Sequence, residues 1–200
     1  MTYTVTLKPS DKQFSVDPGE SVLEAALRQA VVLPYGCKNG ACGSCKALLV
    51  SGSVELGEHS MAFVAYAKDD ANKTVVPMAH SGDDPGYLSE VTLTWDEHQP
   101  GGKGPVGQCV REGRPIVCRD LRDSAALSTN VLAAAKRGYH GIVCLPLRDS
   151  HRTFGLLGLS SPDLGEMGEA EVKLLQEVAD DLAFGIGALR TRAIREQAEL

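Results

Sequence analysis

The chain has 200 residues, 43% of them hydrophobic, and a formal net charge of −6, the make-up of a globular chain of one or two domains. An acidic balance without a basic stripe offers no phosphate-neutralising surface, so nucleic acid is not an expected partner, and no apolar run approaches bilayer-spanning length. Six cysteines are too sparse for a disulfide scaffold, and the first residues alternate like a strand rather than a signal peptide, so a reducing cytoplasmic setting is expected.

Thr2–Leu7 and Gln13–Val16 alternate apolar and polar residues across a Pro9-Ser10-Asp11-Lys12 turn, which predicts a β-hairpin. Ser21 as N-cap with Glu24 three residues later predicts a capping box opening a helix over Val22–Arg28. The run from Pro34 to Cys45 follows, with Cys37, Cys42 and Cys45 in C-x4-C-x2-C spacing and Gly36, Gly40 and Gly43 between them. Such glycines permit the tight backbone that lets thiolates wrap two irons; three plain thiols or a zinc site are the rival readings. Lys46–Glu55 reads as a further strand pair bent at Gly52.

On these residues the segment 1–58 resembles the first half of a plant-type [2Fe–2S] ferredoxin domain of β-grasp fold, especially the modules fused to flavin-dependent reductases. The resemblance implies a [2Fe–2S] cluster with Cys37, Cys42 and Cys45 as metal ligands, and single-electron transfer to a reductase or oxygenase. The family places a fourth cysteine roughly thirty residues beyond the third, where this chain has Thr74 and its neighbours, with Met78 and His80 close by and no thiol before Cys109. The family's final strand also has no evident counterpart.

From Met61 the pattern changes. Met61–Ala67 and Thr74–Ala79 predict a hairpin, Glu90–Trp95 a strand, Gly107–Gly113 a short helix ended by glycine, and Pro115–Cys118 a strand. Ala125–Arg137 predicts a helix stopped by Gly138, and Gly141–Leu147 with Thr153–Ser160 a second hairpin. The fragments Gly86-Tyr87-Leu88, Gly104-Pro105-Val106-Gly107, Gly113-Arg114-Pro115, Arg137-Gly138-Tyr139, Leu145-Pro146-Leu147 and Gly155-Leu156-Leu157-Gly158 occur in the order found in GAF domains of bacterial sensor proteins. Residues 61–189 therefore resemble that family, without its opening helix. The resemblance implies an antiparallel sheet of about six strands with a ligand pocket over one face, lined by residues such as Phe63, Tyr66, Met78 and Trp95. The expected class is α+β: a β-grasp ferredoxin-like segment, a GAF-like domain and the end of a long helix over 190–200. The modules meet at Glu58-His59-Ser60, each cut short, as a natural fusion or a chimera.

Val172, Leu175, Ala179, Leu182, Ile186, Leu189 and Ala193 are spaced by three and four, which predicts one helix from Glu169 toward Glu199. Its first half is expected on the sheet, and Leu182, Ile186 and Leu189 are expected in the seam of a homodimer. Cys109, Cys118 and Cys144 lie in apolar segments and read as buried hydrophobes. His59, His98, His140 and His151 read as surface imidazoles. No nucleophile triad, Walker loop or dinucleotide fingerprint is present, so an enzyme is the least supported class. The leading expectation is a sensory or redox-signalling protein that binds a small ligand or dimerises; the alternative is a [2Fe–2S] electron carrier with a protein redox partner.

Overall fold

The computed structural model describes residues 2–36, 38, 40, 44–55, 57, 59–82, 86–123, 129–165 and 167–198. Strands β1 (Tyr3–Leu7) and β2 (Lys12–Val16) pair antiparallel as expected, with Val5 opposite Phe14. Helix α1 (Val22–Arg28) opens with the anticipated reciprocal cap between Ser21 and Glu24 and lays Ala25 and Ala26 on Phe14 and Val16. Arg28 donates to both Glu20 carboxylate oxygens at 2.7 Å and to the Ser15 carbonyl at 3.2 Å, lashing the helix to β2. That guanidinium, with the Asp17 amide, holds the Glu20 carboxyl down to about 2.

The strand pair expected over Lys46–Glu55 is not formed. These residues run as irregular backbone, and Leu48, Leu49, Val50 and Val54 are exposed. The small sheet stops at two strands. An alternating segment becomes a strand only where a neighbouring ladder accepts its N–H and C=O groups, and here none does.

The larger unit is a six-stranded antiparallel sheet in the order β5-β4-β3-β8-β7-β6. Its strands are β3 (Met61–Ala67), β4 (Thr74–Ser81), β5 (Leu93–Thr94), β6 (Ile116–Cys118), β7 (Gly141–Arg148) and β8 (Thr153–Ser161). Period-two alternation in β3 sends Met61, Phe63, Ala65 and Ala67 to one face, and Val64 and Tyr66 to the other. The first face is covered by α2 (Tyr87–Glu90), α3 (Pro105–Glu112) and α4 (Thr129–Lys136), whose Tyr87, Val106, Cys109, Val131 and Ala134 complete its core. The second face, with Val143, Leu145, Leu147 and Phe154, is covered by α5 (Glu169–Ala198) through Ala179 and Ala183. The strand expected over Glu90–Trp95 shrinks to two residues because Tyr87–Glu90 closes a helical turn first. Of the helix expected over Ala125–Arg137, Thr129–Lys136 is formed and Gly138 (φ 77°) follows it; residues 124–128 lie outside the described residues.

Candidate functional site

The cluster loop is described in part: Cys37 and Cys42 lie outside the described residues, whereas Cys45 is a half-buried thiol. Lys38 (φ 63°) and Gly40 (φ 84°) both hold left-handed backbone, the kind of tight wrapping the glycine-rich sequence predicts. A Cβ placed on Gly40 would lie 3.2 Å from the Cβ of His59, so this loop passes directly against the residue that joins the two modules.

His59 is held from three sides. Its Nδ1 is 3.0 Å from the Gly57 carbonyl oxygen, and its ring meets the Tyr139 ring edge-on, with centroids 6.1 Å apart at 88°. The next residue, Ser60, is buried and donates to Ser161 Oγ at 3.0 Å, which anchors the chain where β3 begins. Tyr139, fully buried in the first core, in turn packs on Tyr87 at 6.0 Å. The Arg137 guanidinium lies 5.6 Å from the Tyr87 ring centre and pairs with Glu90 at 2.8 Å. A continuous stack thus runs from the cluster loop through His59 into the helical face of the large sheet. By sequence His59 reads as a surface imidazole, whereas the fold holds it half-buried. The contact joins residues far apart in the chain, so no local pattern marks it.

The other thiols do not approach the loop chemically. Cys109 and Cys144 are fully buried, as expected of small hydrophobes; burial, aided by the Glu112 charge, pushes the Cys109 thiol up to about 12, and burial pushes Cys144 well above its usual value. Half-buried Cys118 donates from Sγ to the Asp120 carbonyl at 3.2 Å. His80 is exposed on β4, opposite Phe63. Among the described residues, of which Cys37 and Cys42 are not part, no group of three or more His, Cys, Asp or Glu side chains is placed to hold a metal ion.

The four residues expected to share a ligand pocket are not brought together. Phe63 is buried in the first core, with Trp95 packed at its margin. Tyr66 is on the opposite face, beneath the Arg190 guanidinium at 5.0 Å, because alternation along β3 separates positions 63 and 66. Met78 is 66% exposed, outside any core. Trp95 instead donates from Nε1 to the Lys68 carbonyl at 2.9 Å and lines an open cleft of about 440 Å³ with Ala67, Asp69, Val110, Arg111 and Arg152. In the expected dimer seam, Leu182 and Ile186 pack against the sheet, and Leu189 is 68% exposed.

Comparison with known proteins decides the family. The GAF domain family model matches residues 47–187, well over half the chain. The chain belongs to the GAF family. The GAF sheet is similar to the domain of a putative two-component sensor histidine kinase protein from Sinorhizobium meliloti 1021, with a TM-score of 0.54 at 20% identity, covering 68% of this chain and 84% of that one. The 2Fe-2S iron-sulfur cluster binding domain model matches residues 5–75, overlapping the GAF match over residues 47–75. That part is 45% identical over 60 residues to the reductase component DmpP of phenol 2-monooxygenase from Pseudomonas sp. (strain CF600), covering 30% of this chain and 17% of that protein. The reductase component of propane 2-monooxygenase from Mycolicibacterium smegmatis (strain ATCC 700084 / mc(2)155) is 26% identical over 159 residues, covering 78% of this chain. The chain spans 17% and 44% of the lengths of those two relatives.

This GAF protein therefore carries a ferredoxin-type [2Fe–2S] cluster-binding domain at its N-terminal side. The left-handed loop backbone and the half-buried Cys45 thiol fit such a group. Within the matched span the sequence supplies three thiols, Cys37, Cys42 and Cys45, and no fourth.

Proposed function

We propose that this chain is a redox-sensing module in which the GAF domain responds to the state of the N-terminal cluster loop. Cys37, Cys42 and Cys45 hold the cluster, which when bound supplies single-electron transfer. The carrying observation is the stack from Gly40 through His59 to Tyr139 and Tyr87, which gives the loop a packed route into the GAF core. Packed cores respond to small displacements by switching between discrete arrangements rather than deforming smoothly, so a shift of the loop would be felt by α2 and the Arg137–Glu90 pair. The response includes binding of a small ligand on the helical face or a change in a homodimer joined through α5. A cluster loop that needs reduced thiols suits a reducing cytoplasmic setting.

The test begins with anaerobically purified protein, its ultraviolet–visible spectrum and its iron and sulfide content. Amide exchange is then compared before and after reduction by dithionite. The expected result is altered protection in residues 87–90 and 129–140 on reduction. Bound cluster with unchanged exchange throughout the GAF domain would overturn the sensing role. It would leave the second reading, an electron carrier for an oxygenase-type partner, which is favoured by the likeness of residues 5–75 to reductase components.

A further inference from the structure

We propose that the open cleft beside Trp95 is a binding site for a small aromatic carboxylate, its carboxylate held by Arg111 and Arg152 and its ring laid against the apolar wall. The site is apart from the cluster loop, and the proposal stands whether or not a cluster is bound.

The cleft, of about 440 Å³, lies where the ends of β3, α3 and β8 meet the residue that follows β5. That volume is in the ordinary range of small-molecule sites. Ala67, Trp95 and Val110 give it an apolar side. Trp95 is fixed at both ends: its Nε1 donates to the Lys68 carbonyl at 2.9 Å, and its own carbonyl accepts from Arg111 at 2.9 Å. A flat ring placed against a held indole gains buried area and an aromatic contact together.

The charges lining the cleft do not cancel. Half-buried Arg111 donates from Nη1 to the carbonyls of Trp95 and Gly102, the second at 2.6 Å, and among the described residues no carboxylate pairs with it. Two neutral carbonyls leave the guanidinium charge uncompensated, and a tie between carbonyls alone has no need of a full charge. With Nη1 taken, the Nε and Nη2 edge remains as the planar fork that receives a carboxylate through two parallel bonds. Arg152 is held loosely, its Nη2 3.4 Å from the Tyr66 hydroxyl and its Nη1 3.9 Å from the Asp69 carboxylate. Of the two acids on the lining, Glu112 is paired with Arg114 at 2.5 Å, and the Asp69 side chain is 77% exposed and so screened by water. Two guanidinium groups therefore share one weakly coupled carboxylate, which favours an anion over a neutral or cationic ligand.

The test uses the whole chain, with benzoate as the probe. Trp95 is the only tryptophan, so its emission reports on the cleft, and titration calorimetry gives an independent readout. Benzoate is expected to shift that emission saturably. Acetate and phenol, which each carry half of the recognised chemistry, should bind at least about tenfold more weakly. Arg152→Gln and Arg111→Lys, the second keeping the charge but not the fork, should each weaken benzoate about tenfold. Arg152 is exposed and ties no element to another, so Arg152→Gln decides the matter even if Arg111→Lys fails to fold, as a circular dichroism melt would show. No saturable benzoate binding at millimolar concentration, an unchanged affinity in Arg152→Gln, or acetate or inorganic phosphate binding as tightly as benzoate would each overturn the proposal.

Discussion

A buried thiol shows how far a single residue's surroundings set its chemistry. Cys109 sits on α3 with no exposed surface, and burial, with the Glu112 charge, lifts its titration to about 12 from the ordinary 9.0. Below pH 9 folded and unfolded chains both keep the proton, so stability is unaffected. Between 9 and 12 the unfolded chain loses a proton that the folded chain retains, and stability falls as pH rises. Cys144 acts with the same sign. The urea midpoint of the wild type is expected to drop from pH 9 upward, and the drop should be smaller in Cys109→Ala. Equal slopes in the two proteins would show that the thiol is not held in the protonated form. Native Cys109 and Cys144 should also resist iodoacetamide at pH 8, since the thiolate is the nucleophile.

Among the elements, α5 differs most from its sequence reading. The sheet contact expected of its first half extends further than expected, to two of the seam residues: Leu175, Ala179, Leu182, Ala183 and Ile186 pack against Val143, Leu145 and Phe154. A stripe flanking it stays wet. Leu174, Val178, Gly185 and Leu189 follow at helical spacing, and the three apolar side chains are 63%, 57% and 68% exposed. If the protein dimerises through α5, this outer stripe is the surface that closes. Burying each such side chain contributes about 1.5–3 kcal/mol. Val178→Lys with Leu189→Lys is therefore expected to yield a monomer that still melts cooperatively, by light scattering and circular dichroism. Ile186→Lys, placed in the core, should instead lower the melting temperature. A double variant that remains dimeric would assign the interface to another surface.

For the whole molecule, the unequal size of the two cores decides what can fold alone. Around β1, β2 and α1 the buried residues are Phe14, Val16, Ala25 and Ala26, whereas the six-stranded sheet has a substantial core on each face. Domains with so little buried apolar surface are marginal unless a metal, disulfide or partner adds stability. A fragment of residues 61–200 should melt cooperatively, and a fragment of residues 1–58 without iron should show no cooperative transition by circular dichroism. A cooperative melt of the iron-free small fragment would mean that its hairpin and helix do not depend on the cluster or on the GAF domain.

Local signals by themselves determined most of the elements and the two families. The Ser21 cap, the hairpin alternation around Asp11, the glycine stops at Gly113 and Gly138, and the C-x4-C-x2-C loop all act over a few residues, so a linear reading captures them. What depended on partners distant in the chain was decided by the tertiary structure. Lys46–Glu55 alternates like a strand but has no ladder to join. Phe63 and Tyr66 are both aromatic, yet β3 turns them to opposite faces. Of the α5 residues that read as a dimer seam, Leu182 and Ile186 are covered by the sheet and Leu189 is left exposed. His59 carries no sequence signal at all. It becomes a junction residue because the chain folds Gly40 onto it and Tyr139 beside it, contacts that exist only once both modules are packed.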